Sequence, residues 1–440
     1  MSDATDRKTG VPATPTGVAP SRLPRTLRPL RYRQFRLLAT SGAASLLADG
    51  LWLVALVWEV IALGGSPSDL SIVAAATSLG LVAAVLLGGV AADRLPKRAV
   101  LLSVEVVRTT VPVAAGLLAV SGVLHVWSLA ALAFVVGAAG GFYYPSWSAV
   151  VPVLLPAEEL LAANGIEGML RPLAQQAAGP ALAGVLVAVY SPSAALLGAG
   201  VCYLVALVPL LAMRPVPHSA APEDGAQSPT RQLAEGFAYL LRTGWLFATL
   251  AFAILYILVI MGPIEVLLPF AVRDRVGAGP AGLSVVLAAY GVGCAIGAFA
   301  VSSLRLPRRY LTVMLLCWGL GALPQAAFGL STVLWIMVVA SFVVGLTDAA
   351  AMVIWGTLLQ RRVPTHLLGR VSSLDFFVSL ALMPLSTALA GPVGERVGIP
   401  TTFVVAAVVP PVLAVVALLA WRLPRDEIAN PIEVVDPRAP

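Results

Sequence analysis

Twelve apolar runs of about 20 residues alternate along the chain with short clusters of charge. They cover about 36–61, 70–92, 99–120, 127–150, 164–190, 194–213, 245–269, 281–302, 311–330, 333–359, 372–394 and 400–421. Each is long enough to cross the hydrocarbon core of a bilayer as a helix. Backbone N–H and C=O groups find no water there, and the α-helix satisfies them within one segment. The pattern therefore predicts an all-α polytopic membrane protein with 12 transmembrane helices. One stretch differs: 231–241 (RQLAEGFAYLL) is apolar at helical spacing and polar between, which predicts an interfacial helix.

Charge sets the orientation. With the N-terminus inside, 23 of the 28 Lys and Arg lie on the cytoplasmic face, and only Arg273, Arg275 and Arg396 lie outside. Arg108 and Arg171 fall within spans. Basic residues are retained in the cytoplasm, so both termini are expected there. Composition agrees, with 59% hydrophobic and 11% charged residues and a mean hydropathy of +0.92. The pI near 9.5 then reflects topology and anionic lipid, with no nucleic acid expected. Cys202, Cys294 and Cys317 lie in spans without paired spacing, and the three histidines are scattered, so no disulfide, metal or cofactor is expected.

Leu95-Pro96-Lys97-Arg98 recurs 211 residues later as Leu306-Pro307-Arg308-Arg309, and Gly179-Pro180 recurs 212 residues later as Gly391-Pro392. Two landmarks at nearly one offset predict that spans 1–6 and 7–12 are related halves, a symmetry found in transporters. The expected organisation is a disordered cytoplasmic tail (1–30), a six-helix bundle (31–213), a linker with the interfacial helix (214–244), a second six-helix bundle (245–421) and a cytoplasmic tail (422–440). The first 30 residues have no apolar core, so they predict neither a signal peptide nor a domain.

Between spans 2 and 3, Gly88-Gly89-Val90-Ala91-Ala92-Asp93-Arg94-Leu95-Pro96-Lys97-Arg98 resembles the signature of the major facilitator superfamily, with Pro96 where the family usually has Gly. The resemblance implies two pseudo-symmetric six-helix bundles rocking around a site near the midplane, with spans 1, 4, 7 and 10 lining the cavity. It also implies that Gly89, Asp93, Arg94, Lys97 and Arg98 form a cytoplasmic latch against span 11. Asp93 would accept bonds near Ser372 and Ser373, where a helix N-terminus attracts a carboxylate, with Asp375 in the same network. The alternative is that Asp93 is only a solvated turn residue.

An ionisable group at the bilayer centre costs ~3 kcal/mol or more, so each one is a functional candidate. At 1.5 Å per residue, Asp49 lies roughly 20 Å into span 1 and Asp348 roughly 22 Å into span 10. Both are candidate proton carriers, and the structural alternative is a neutral Asp bonded to a neighbouring helix. Gly42, Ser45, Trp52 and Leu56 share the stripe of Asp49 and would form a cavity wall with it. Glu265 in span 7 is a candidate outer gate or second protonation site, whereas Glu59 reads as a helix-end charge that reaches water. Glu105 with Arg108 and Glu167 with Arg171 share helix faces in the cytoplasmic third and read as structural pairs, the alternative being a role in the inner gate. With no charge in 131–151, span 4 lacks the arginine of many proton antiporters. Cavity carboxylates without a midplane arginine favour neutral or cationic substrates.

In span 5, Gln175 to Gly184 resembles the drug-antiporter signature, retaining Gly179, Pro180 and Gly184 but with Gln175 for its first glycine and Ala183 for its penultimate one. Small residues allow close helix approach, and proline bends the span. Tyr143, Tyr144 and Trp147 either face an amphiphilic substrate or belong to the interface belt. The segments 31–38 (RYRQFRLL) and 359–371 (LQRRVPTHLLGRV) resemble the 12-span exporter branch that includes macrolide, tetracycline-type and siderophore exporters. This resemblance, over 28–425, implies a monomeric plasma-membrane exporter of small amphiphilic molecules that works by proton antiport among membrane lipids. Alternatives are an importer, a siderophore exporter, a lysolipid flippase or a non-transporting sensor. No P-loop, nucleophile or metal motif points to an enzyme.

Overall fold

The computed structural model describes residues 25–215, 229–304 and 306–431. Twelve of its helices are long and apolar enough to cross a membrane. Spans 1–6 are Arg33–Ala62, Pro67–Val85, Lys97–Val120, Val126–Leu154, Glu158–Val189 and Pro192–Ala212. Spans 7–12 are Gly244–Val276, Pro280–Ser303, Tyr310–Leu330, Leu334–Arg362, Arg370–Val397 and Ile399–Ala420. The helix of span 2 continues to Arg94. A helix over Pro229–Arg242 stands where the interfacial helix was expected. An even number of spans leaves the first and last on one face, here called the terminal face; the other is the distal face.

Local chemistry sets many of the boundaries. Proline opens the helices at Pro67, Pro192 and Pro280, positions where its missing N–H would be unpaired in any case. The Ser191 hydroxyl caps span 6 by accepting from Ala194 N at 3.0 Å. Span 7 ends at Gly277, whose φ of 69° is left-handed, and Ala278 N closes the turn on Val272 O. Within spans 5 and 7 the helix widens to π turns at Arg171–Ala178 and Pro263–Leu267. Pro172 and Pro263 sit at their starts, where each removes a backbone donor.

The repeat is visible in the packing. A Cβ on Gly50 of span 1 would fall 2.2 Å from the Gln175 carbonyl oxygen of span 5. A Cβ on Gly262 of span 7 would fall 2.2 Å from the Ser386 carbonyl oxygen of span 11. These two close crossings carry the same offset as the sequence landmarks, and the molecule is two pseudo-symmetric bundles of six helices.

Near the distal face the bundles are joined. Gly391 N of span 11 donates to Ser71 Oγ of span 2 at 2.7 Å. Ser68 donates to Glu395 from its N at 2.9 Å and its Oγ at 2.7 Å. On the terminal face a short helix, Leu423–Ala429, clamps the second bundle. Its Glu427 accepts from Leu311 N (2.9 Å), Thr312 N (3.1 Å) and Thr312 Oγ1 (2.6 Å), so a buried carboxylate satisfies donors that the first turn of span 9 leaves without helical partners. Asp426 receives Arg362 of span 10 at 2.6 Å, and that guanidinium lies 4.6 Å over the Trp245 ring of span 7.

Of the expected cytoplasmic tails and linker, residues 1–24, 216–228 and 432–440 lie outside those described. Residues Arg25–Arg31, placed by the sequence at the edge of the N-terminal tail, form a 3-10 helix. Arg31 pins it, donating to Glu159 at 3.2 Å and to the Tyr32 hydroxyl at 2.8 Å.

Candidate functional site

A cavity of ≈ 210 Å³ lies between the bundles. The first bundle lines it with Asp49, Trp52, Arg108, Tyr144 and Gln175, and the second reaches it with Glu265 and Met383. Leu56, Leu70 and Val136 make much of the remaining wall apolar. Asp49 is the most heavily bonded group there. Tyr203 of span 6 donates its hydroxyl at 2.5 Å, Gln175 of span 5 its amide at 3.4 Å, and Arg108 Nη1 of span 3 stands 3.3 Å away. The Arg108 guanidinium lies 4.8 Å over the ring of Tyr143 and 5.7 Å over that of Tyr203, so its faces are covered by aromatic carbon. Arg108 is 3% exposed and Glu105 is 0% exposed. Glu105 accepts from Ser45, itself on the stripe of Asp49.

This geometry overturns one expectation. A membrane-embedded arginine does face the cavity, supplied by span 3 and not span 4. Arg108 reaches across to Asp49, so it is more than half of a local pair on one helix. Arg171 likewise turns to Tyr144, donating to its hydroxyl at 3.4 Å and lying 4.9 Å over the ring. Glu59, expected to reach water, is 5% exposed.

The aromatic cluster divides. Tyr144 lines the cavity. Tyr143 and Trp147 are buried and stacked with centroids 5.8 Å apart, and the Trp147 ring fills the space a side chain on Gly42 would need. Glu265 faces the cavity from the π turn of span 7, and among the described residues it has neither a hydrogen bond nor an ion pair. Asp348 is not part of this wall. In the second bundle it accepts from Tyr290 Oη of span 8 and Trp318 Nε1 of span 9, each at 3.0 Å.

The span 5 motif is a packing surface. A Cβ on Gly179 would sit 2.7 Å from Leu47 O and 2.8 Å from Gly50 Cα, both on span 1. Gly184 instead abuts Ser284 of span 8, in the other bundle, and Pro180 between them is buried. In the latch motif, the side chains of Asp93, Arg94 and Ser373 and the surroundings of Gly89 lie outside those described. Lys97 opens span 3. Arg98 donates to the carbonyls of Leu210 and Leu211 at 3.1 and 2.9 Å, capping the end of span 6. Asp375 accepts from Trp355 Nε1 of span 10 at 3.1 Å.

A family model described as transmembrane secretion effector matches residues 25–436. The chain belongs to this family. Its members are transporters of the major facilitator superfamily. Macrolide efflux protein A of Streptococcus pyogenes is 26% identical over 373 residues, covering 81% of this chain and 88% of that protein. The multidrug efflux pump Tap of Mycolicibacterium fortuitum is 28% identical over 411 residues, covering 89% and 95%. Among solved structures, a variant of the nucleoside transporter NupG superposes with a TM-score of 0.68 at 12% identity, over 88% of this chain and 99% of that one. A bacterial homolog of the human lysosomal transporter Spinster, inward-facing and unoccupied, gives 0.65 at 14% identity, over 91% and 99%. At such identities the structures share the fold alone.

For this member of the transmembrane secretion effector family, sequence reasoning missed the roles of Arg108, Tyr203 and Gln175. A signal was available in their depth. Counted from Lys97 and from Ala212, Arg108 and Tyr203 lie roughly 16 and 14 Å from the terminal face, about 4–6 Å short of Asp49, a gap their long side chains span.

Proposed function

We propose that the chain is a plasma-membrane exporter of amphiphilic small molecules, driven by proton antiport through alternating access. The cavity between the bundles carries this reading. Its wall is apolar, with a few convergent polar groups, which suits a ligand that is part greasy and part charged. One carboxylate there, Asp49, already holds a cation of the protein, while Glu265 opposite is open to a cation of the substrate. Carboxylates buried at this depth mark proton and ion pathways. The relatives named for macrolide and multidrug efflux support export.

The basic bias of the terminal face makes it cytoplasmic, with both termini inside, so the joined distal ends of spans 2 and 11 form an external gate. Bundles at 31–213 and 245–421 rock around the cavity, and 214–244 connects them. Gly89, Asp93, Arg94, Lys97, Arg98 and Asp375 serve the inner gate, Gly179 to Gly184 the pivot, and Asp348 a second proton site. The unit is a monomer in lipid.

Purified protein in proteoliposomes, tested with erythromycin, tetracycline and ethidium, should move protons inward as substrate leaves. A protonophore should abolish uphill export. Export that follows a sodium gradient and ignores the proton gradient would refute antiport, and no transport of any probe would refute export.

A further inference from the structure

The buried groups behind the cavity wall form a unit that the transport reading leaves unused. Arg108 stands 3.3 Å from Asp49 on span 1 and one turn along span 3 from Glu105. Two carboxyls and one guanidinium sum to a single negative charge unless one carboxyl carries a proton. Among the described residues, the other titratable groups against them are Tyr143 of span 4 and Tyr203 of span 6, with Tyr144 and Arg171 beyond; none adds a second cation in contact with the carboxyls. Uncompensated charge in so dry a place is strongly unfavourable, so the triad holds one proton.

The hydrogen bonds show where it resides. Asp49 accepts hydrogen bonds from Tyr203 and Gln175 and lies in ion-pair range of Arg108. Glu105 has only Ser45 at Oε1, and its Oε2 is buried without a partner. Arg108 Nε and Nη1 are also buried without hydrogen-bond partners, so the guanidinium is held by charge and by the aromatic rings over it. Glu105 is thus fully buried with one carboxyl oxygen unpaired, one turn nearer the terminal face than Arg108, which suits a neutral carboxyl.

We propose that Glu105 is a proton relay behind Asp49, and that Arg108 exchanges between the two carboxylates during transport. The inference rests on the antiport reading above. A proton from the cavity binds an Asp49 carboxylate oxygen as the Asp49–Arg108 pair parts. Arg108 then pairs with Glu105, whose Oε2 proton leaves to water on the terminal side. Return of Arg108 to Asp49 passes the bound proton from Asp49 to Glu105 and resets the unit. The triad is neutral in both resting states, and one proton enters for each that leaves. Glu105 lies roughly 12 Å from the terminal face and Arg108 roughly 16 Å, so the relay moves the proton inward.

The test compares Glu105→Gln and Glu105→Asp with the unaltered protein in proteoliposomes, using erythromycin and ethidium. Glu105→Gln keeps the shape and the bond to Ser45 but cannot release a proton. Its proton-driven uphill export should fall by about 10²-fold or more, while exchange of labelled for unlabelled erythromycin at equilibrium continues. Glu105→Asp should restore coupled export. Glu105→Gln that couples like the unaltered protein would overturn the relay. Parallel loss of exchange, coupling and melting temperature in both variants would mark Glu105 as structural and also overturn it. Absence of proton coupling in the unaltered protein would instead overturn the antiport reading itself.

Discussion

Replacing Gly391 with alanine should open the distal gate. Its added Cβ would stand 2.3 Å from the Pro67 carbonyl oxygen and 2.6 Å from Ser71 Oγ, both in the opposite bundle. An ordinary C···O approach is about 3.3 Å, so spans 2 and 11 must separate by roughly 1 Å. Overpacking of this kind costs about 1–3 kcal/mol. Stretching the Gly391 N to Ser71 Oγ bond sacrifices about 0.5–1.5 kcal/mol more. A penalty of about 3 kcal/mol falls only on the state in which the gate is shut, and shifts the balance roughly 150-fold towards the open state. Ala74, which lines the cavity on span 2, provides the reporter. With Cys202, Cys294 and Cys317 replaced, Ala74→Cys should react with an impermeant maleimide from the distal side about tenfold faster or more in the Gly391→Ala background. Equal rates in the two backgrounds would refute the argument that this contact holds the gate.

Asp49→Asn should insert and fold normally but lose proton-driven export, because the amide keeps the shape and exchanges no proton; full export with an unchanged pH profile would remove Asp49 from the mechanism. Arg108→Met leaves two buried carboxyls without their cation and should destabilise the protein by about 3–5 kcal/mol. Adding Asp49→Asn and Glu105→Gln should recover most of the melting temperature, and failure to do so would show that packing on Tyr143 and Tyr203 is what Arg108 provides. Glu427→Ala strips three hydrogen bonds from the start of span 9 and should lower stability by about 1–3 kcal/mol, read by thermal denaturation of the purified protein. An unchanged transition would mean that water replaces the carboxylate.

The architecture was legible because a bilayer imposes a length on every span, and that length is written in the order of residues. The repeat was legible because the 211–212 offset of its landmarks is also the offset between the Gly50–Gln175 and Gly262–Ser386 crossings, although Gly179 packs within its bundle and Gly391 packs against the other. Rotation of each helix about its axis was not. A membrane helix is apolar all round, so no stripe reveals that Arg108 points towards span 1. Nor does hydropathy show that Tyr144 faces the cavity while Tyr143, one residue and about 100° away, faces the core. The unpaired Glu265 was flagged by its charge, but the π turn that presents it depends on how Pro263 is accommodated.

The two π turns also bear on ancestry. A π turn holds a surplus residue inside an otherwise regular helix. When relatives are aligned, a gap of one should therefore be allowed within spans 5 and 7, a place where gaps are usually forbidden. Without it, every residue beyond the turn is paired with a neighbour about 100° around the helix, and wall is matched to lipid. Gln175 and Glu265 lie inside these turns and line the cavity, so a gapless alignment misplaces two residues of its wall. A single inserted or deleted codon there rotates half a helix and recasts the cavity while leaving the span long enough to cross the membrane.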